Sequence, residues 1–333
     1  MSVLVTGASG FLGRALVARL AADGVADVRL LLRPDRSDTA LDALVAEQAA
    51  RGWRIVRCGF DDPAALRAAL DGVHTVHHLA AALRGGPAAI ARGTLETSLR
   101  LLQAIAALPR PPRVLLVGSL GVHDTRALRD GDTLDESTPL DPHPQWRDAY
   151  THAKCEQERW FREAHRRCGI PLAIARPGVI WGPGHAAPGD RVGLRLPGGL
   201  LLAPGLRCRI PLTFVDNCAA ALAVVAARAA FAGEAYTVVD ADPPRGRDWL
   251  AALRRGGLAT RALPCPPALA RALFTAWGMA RRYSRGRLPL LLTPHQAHSA
   301  WKDLHYASAL SALGWVQPVP FEEALRRTFG ART

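Results

Sequence analysis

The chain has 333 residues, 49% hydrophobic and 21% charged, which excludes a disordered or collagen-like polymer and leaves material for one large domain carrying a smaller one. The net charge is +13, and among 42 basic residues only Lys154 and Lys302 are lysines. The arginines are scattered, and their densest cluster, Arg281, Arg282, Arg285 and Arg287, has only Tyr283 as an interleaved aromatic. A solvated surface is therefore expected, with no nucleic-acid partner.

The six cysteines, Cys58, Cys155, Cys168, Cys208, Cys218 and Cys265, show no C-x-x-C spacing, and the chain has no His-x-His pair, so neither a metal site nor a disulfide framework is expected. They read as buried thiols of a reducing cytosol. No basic leader precedes the first strand pattern, and no apolar run reaches the roughly 20 residues of a membrane helix. A cytoplasmic protein is expected.

Short runs rich in Val, Leu and Ile alternate with stretches of helical spacing, the pattern of a parallel sheet covered on both faces. Strands are predicted near Val3 to Thr6, Val28 to Leu32, Arg54 to Arg57, Thr75 to Leu79, Val114 to Gly118 and Leu172 to Ala175. Between the first two, Leu12, Leu16 and Leu20 mark an amphipathic helix. Residues 124–149 are polar and hold three prolines, which predicts a long functional connection. After Arg176-Pro177 the pattern loosens into Gly182-Pro183-Gly184, Pro188-Gly189 and Pro197-Gly198-Gly199. The expected organisation is a doubly wound α/β domain of Rossmann type over 1–176, with 206–240 partly returning to it. The substrate-binding portion is expected over 177–333.

Thr6-Gly7-Ala8-Ser9-Gly10-Phe11-Leu12-Gly13 joins the first strand to the first helix. Glycines there permit a tight turn and close approach of a pyrophosphate, and free N–H groups at the helix start attract the phosphates. The second strand ends in Leu31-Leu32-Arg33-Pro34, with Arg33 where an acid would bind a ribose 2′-hydroxyl. An arginine suits a 2′-phosphate, so NADP(H) is preferred over NAD(H), with Arg14 and Arg36 as helpers.

Tyr150 and Lys154 stand four residues apart on a helical stretch that follows the long connection. The spacing stacks phenol and ammonium on one face, where the positive charge favours phenolate and suits Tyr150 to general acid/base work. A lysine kept in so arginine-rich a chain points to chemistry the guanidinium cannot perform. Ser119, at the carboxyl end of the Val114 strand, is placed to hydrogen-bond a substrate oxygen.

Together these residues resemble the extended short-chain dehydrogenase/reductase family, the NAD-dependent epimerase/dehydratase superfamily, over nearly the whole chain. Further matching landmarks are His78-Leu79-Ala80-Ala81, Arg176-Pro177-Gly178-Val179-Ile180-Trp181-Gly182, Phe214-Val215-Asp216-Asn217 and Leu313-Gly314-Trp315. The stretch Gly233-Glu234-Ala235-Tyr236 and the apolar carboxyl half look like the 3β-hydroxysteroid dehydrogenase and bacterial ketoreductase branch. The resemblance implies a Tyr-Lys-Ser machine in which Tyr150 is the acid/base, Lys154 binds the nicotinamide ribose, and Ser119 holds the substrate oxygen. It also implies cofactor contacts from Gly7, Ser9, Gly10, Phe11, Leu12, Gly13, Leu79, Ala80, Ala81, Pro177, Val179 and Ile180, with Phe60 and Asp61 near adenine. A homodimer through the helices around 92–108 and 150–168 is implied as well. Thr94 stands where relatives place an Asn that serves a proton relay, and Val179 where nucleotide-sugar enzymes usually show Asn.

In the carboxyl half, Leu269, Leu273, Trp277 and Ala280 share a helical face. That face lines an apolar substrate pocket, gives peripheral membrane contact through 266–287, or packs in the core. His123, Trp181 and His185 are expected near the site mouth. The function expected is an NADPH-dependent reductase or dehydrogenase acting on a ketone or secondary alcohol of an apolar molecule, steroid-like or polyketide-like. The alternatives are a nucleotide-sugar epimerase or dehydratase with tightly held NAD, and a non-catalytic dinucleotide sensor.

Overall fold

The computed structural model describes residues 2–185, 192–196, 200–258, 261–284 and 300–330. Its centre is a seven-stranded parallel sheet built from β1 (Val3–Thr6), β2 (Val28–Leu32), β3 (Arg54–Arg57), β4 (Thr75–His78), β5 (Arg113–Val117), β7 (Leu172–Pro177) and β12 (Ala232–Val238). The order across the sheet is β12-β7-β5-β4-β1-β2-β3. The connectivity reverses between β1 and β4, and the crevice above such a reversal is where this architecture takes its ligands.

The strands read as continuous apolar runs because both faces are covered. Successive side chains point to opposite faces, so Leu115 and Val117 of β5 join one core while Val114 and Leu116 join the other. Helices α1 (Phe11–Ala22) and α7 (Val215–Arg228) cover the first face. Helices α3 (Pro63–Leu70), α5 (Thr97–Ala106) and α6 (Ala149–Cys168) cover the second. Helix α6 starts where the Asp148 carboxylate accepts the Thr151 N–H at 3.0 Å, and it ends at Gly169, whose φ of +66° closes the last turn.

A third core gathers Trp181, Leu212, Phe214, Trp249, Leu250, Leu253 and Leu325. It unites β8 (Val179–Trp181), β11 (Leu212–Phe214), α8 (Gly246–Arg255) and a last helix, Phe321–Phe329. Trp181, expected near the site mouth, is instead fully buried, 5.0 Å in ring centroids from Trp249 and 5.3 Å from Phe214. A large apolar ring at the end of a short strand is stabilised more by this packing than by exposure beside a ligand.

The connection 124–149 is not without structure. It holds β6 (Thr133–Leu134), paired with β14 (His305–Tyr306), and a short 3-10 turn at Pro144–Trp146. The sequence hides this pairing because its partner lies some 170 residues away. Helix α9 (Pro267–Tyr283) turns Ala270 and Phe274 inward, with the Phe274 ring 5.7 Å from Trp301. Leu269 and Leu273 of the expected face are half exposed. Arg285, Arg287, Pro188-Gly189 and Pro197-Gly198-Gly199 lie outside the described residues. Among the described residues, no helix is long and apolar enough to cross a membrane.

Leu115 is fully buried in the middle strand, so Leu115→Ala is expected to lower the unfolding free energy by about 3 kcal/mol, through lost transfer energy and an unfilled cavity. Urea unfolding of both proteins measures the difference.

Candidate active site

The turn after β1 can be made only by glycines at two of its positions. Gly7 has φ of +72°, and a Cβ there would stand 2.9 Å from the Ala80 amide nitrogen. A Cβ on Gly13 would stand 2.1 Å from the Gly7 carbonyl oxygen. Helix α1 opens at Gly10 with no side-chain cap and no acid in its first turn. Its free N–H groups therefore remain available to an anion.

These N–H groups face a cleft of about 1070 Å³. It is lined by Gly7, Ser9, Gly10, Phe11, Leu12, Gly13, Arg33, Phe60, Leu79, Ala80, Ala81, Tyr150, Lys154, Pro177, Val179 and Ile180, the residues expected from the sequence. Arg36 and His185 also line it, the His185 ring lying 4.8 Å from that of Phe11. Asp61 does not: it is exposed, with its carboxylate over Gly59. The acid is drawn back to its own turn, and Phe60 alone of the pair reaches the cleft. Arg33 extends into solvent, 3.8 Å from the Asp35 carboxylate, while Arg14 is held by Asp38 at 2.8 Å and does not line the cleft. The uncapped helix start, the glycine cradle and the size of the cleft fit a dinucleotide.

Sequence reasoning did not single out Ala82, Leu83, Arg92 and Gly93, which also line the cleft. They come from the connection that follows β4 and from a π-helical turn, Ala91–Glu96, whose extra residue per turn has no simple sequence signature. Thr94 of that turn is fully buried, and its hydroxyl accepts the Ala82 N–H at 3.1 Å.

Lys154 is buried, and its Nζ donates to the Val117 carbonyl and to Gln157 Oε1, each at 2.8 Å. Burial draws its ammonium down to about 7, with the Glu158 carboxylate opposing the drop. Glu158 itself is tied to Arg176 at 2.6 Å and Arg162 at 2.9 Å, and these partners hold it below the usual carboxylate range although burial works the other way. His78 is pushed down to about 3, first by burial and then by Lys154, and so is neutral. Ser119 Oγ accepts the Gly121 N–H at 3.1 Å, which leaves its own proton free to be donated.

A second cavity, of about 690 Å³, opens on the other side of these groups. Its apolar wall includes Leu120, Leu134, Ile210, Trp301 and Leu304. His123, Arg147, Arg209 and Lys302 are also in the lining, and each has a partner. Arg147 holds Asp141 at 2.7 Å and Arg209 holds Asp303 at 2.9 Å. Lys302 donates to the carbonyls of Thr125, Arg126 and Leu128, and His123 Nδ1 lies 2.8 Å from the Thr138 carbonyl. Ser119, Tyr150, Pro177, Gly178 and Val179 line both cavities. The two spaces therefore meet at these residues, Ser119 and Tyr150 among them.

A crevice that fits a dinucleotide and meets a second cavity at a serine and a tyrosine, with a buried lysine on the crevice side, defines the class: a nucleotide-dependent α/β enzyme fold. The NAD dependent epimerase/dehydratase family matches over residues 3–238, and the chain belongs to this family of NAD(P)-dependent extended short-chain dehydrogenase/reductase enzymes. It is 30% identical over 187 residues to dTDP-6-deoxy-L-talose 4-dehydrogenase (NAD(P)(+)) of Kitasatospora kifunensis, covering 55% of each chain. It is also 30% identical over 184 residues to cinnamoyl-CoA reductase 1 of Oryza sativa subsp. japonica, covering 54% of each. The match thus spans about half the length of these curated relatives. In fold the chain is similar to UDP-glucose 4-epimerase of Thermus thermophilus, solved in complex with NAD, with a TM-score of 0.67 and 20% identity over 100% of this chain and 99% of that one.

Lys154 takes up its proton at about 7 in the folded chain, against a starting value of 10.5. Between those values the unfolded state binds more protons, so the unfolding free energy rises with pH. The contribution reaches at most about 1.4 kcal/mol per pH unit from about pH 7 to 9. Above that window the part-buried thiol of Cys155 and the buried thiols of Cys208 and Cys218, pushed up by loss of solvent, act in the opposite sense. Lys154→Met is expected to flatten the rise, as read by urea unfolding of the cofactor-free chain across the window.

Proposed function

We propose that the chain is an NADPH-dependent reductase, or the reverse dehydrogenase, interconverting a ketone and a secondary alcohol on a small molecule with a large apolar part. The observation that carries this is the meeting of the cofactor cleft and the second cavity at Ser119 and Tyr150. A carbonyl entering from the second cavity reaches both hydroxyls while its carbon faces the cleft. The nicotinamide, when bound, supplies or accepts the hydride. Tyr150 gives its phenol proton to the carbonyl oxygen during reduction and takes it back during oxidation. Ser119 donates a hydrogen bond to the same oxygen. Lys154 has two donors engaged by Val117 and Gln157, which leaves the third for a ribose hydroxyl, and its charge favours the phenolate of Tyr150.

The apolar wall and the paired state of the cations beside it support a substrate that brings apolar surface, steroid-like or polyketide-like in the manner of the 3β-hydroxysteroid dehydrogenase branch. NADP(H) preference through Arg33 and Arg36, and a homodimer through α5 and α6, belong to the same proposal. A second reading, a nucleotide-sugar epimerase or dehydratase with tightly held NAD, draws on Arg147, Arg195 and Arg209 in the cavity lining and on the sugar-nucleotide dehydrogenase among the relatives.

Absorbance of NADPH and NADH followed with hydrophobic ketones beside nucleotide sugars separates the two. Stoichiometric NADPH oxidation with a ketone is expected, and turnover of sugars without net cofactor consumption would reject the reductase. Tyr150→Phe is expected to slow ketone reduction by at least about 100-fold; full activity in that variant would point to a non-catalytic sensor instead. For the cofactor, Arg33→Ala should weaken NADPH binding about tenfold while leaving NADH binding nearly unchanged, as measured by fluorescence titration.

A further inference from the structure

The ammonium of Lys154 does not end in isolated partners. Gln157, whose Oε1 accepts from Lys154 Nζ, donates through Nε2 to Ser98 Oγ at 2.8 Å. Ser98 Oγ donates in turn to the Thr94 carbonyl at 2.6 Å. With that proton committed, Ser98 Oγ can only accept from His78 Nε2 at 3.1 Å, which assigns the proton of the neutral imidazole to Nε2. His78 Nδ1 then accepts from Thr6 Oγ1 at 2.8 Å, and Thr6 Oγ1 accepts the Ala80 N–H at 3.3 Å. Thr6, His78, Thr94, Ser98, Gln157 and Lys154 are all buried. Two runs of donors, one from the amine through Gln157 and one from Thr6 through His78, therefore converge on Ser98, and the network joins the amine to the residue that opens the glycine turn.

We propose that Gln157 is a positioning residue for Lys154: its carboxamide fixes the ammonium at the carboxyl end of β5 and couples it, through Ser98 and His78, to the cofactor turn at Thr6. The role rests on the Tyr-Lys-Ser function proposed above. A carboxamide suits it because a neutral acceptor holds the ammonium without cancelling its charge. A carboxylate at the same place would form an ion pair and remove the bias toward phenolate at Tyr150. The other ionisable groups around the ammonium are the Tyr150 phenol one turn back on α6, His78, which burial keeps neutral, and Glu158, which is committed to Arg162 and Arg176.

The composition offers a direct measurement, since Lys154 and Lys302 are the only lysines. Protein labelled with carbon-13 at lysine Cε gives two signals, and Lys302→Arg assigns them. In the cofactor-free chain, Gln157→Glu is expected to move the Lys154 midpoint up by about one unit or more. Gln157→Met, which removes an acceptor from the charged form, should move it down. Gln157→Asn, one methylene short of Nζ, should follow Met. Circular dichroism checks folding, and should the Met variant fail to fold, the isosteric Glu variant and Asn carry the comparison. Midpoints unchanged from the parent in the folded variants would overturn the assignment, as would a rise in Asn or Met. The titration needs neither substrate nor cofactor, so its failure is distinguishable from a failure of ketone reduction or of the Tyr150→Phe test.

Discussion

The arrangement depends on one buried ammonium. Placing a charge in the interior costs several kcal/mol unless its donors are met, and Lys154 meets the condition with a main-chain carbonyl at the end of β5 and a side-chain carboxamide one turn further along its own helix. The balance is deliberately incomplete: the neighbouring carboxylate, Glu158, is aimed at Arg176 and Arg162 rather than at the amine. The ammonium thus has a carbonyl and a carboxamide, and no carboxylate, as its hydrogen-bond partners among the described residues. Moving α6 by one turn would break the contact of Lys154 to Val117 and the link of Gln157 to Ser98 together.

The same economy of charge shapes the second cavity. A chain with a net charge of +13 would be expected to present a strongly positive chamber, yet three of the cations in its wall, Arg147, Arg209 and Lys302, are used internally. Arg147 braces Asp141 and the Gly121 carbonyl, Arg209 braces Asp303, and Lys302 gathers three carbonyls of the 124–149 connection. The basic residues act as clamps between distant segments, with their charges balanced or spread over carbonyl dipoles, while Trp301 and its neighbours supply the apolar surface.

His123 shows how the two regions are joined. It lines the second cavity, while its Nε2 lies 3.2 Å from a nitrogen of Arg176, the residue that holds Glu158. Burial and the Arg176 charge keep this imidazole below its usual range, so it accepts from the guanidinium and donates to the Thr138 carbonyl. A histidine that would pass in the sequence for a loop residue is therefore a fixed wall of the chamber, tied to the helix that carries Tyr150 and Lys154.

Much of this was legible in the residues alone. Alternating apolar runs implied a sheet covered on both faces, because a strand buried on both sides has no room for a polar face. The glycines at 7 and 13 announced a turn that any Cβ would obstruct, and Tyr150 with Lys154 marked one helical face by spacing. Each of these is a local rule, readable within a few residues. Tertiary structure decided what depends on contacts across the chain: the burial of Trp181, the withdrawal of Asp61 from the cleft, the pairing of β6 with β14, and the carboxamide that reaches Lys154. Gln157 stands three residues from that lysine, yet its meaning depends on Ser98 and His78, which approach from other elements. Hydrogen-bond direction and burial are properties of assembled neighbours, and sequence spacing does not determine them.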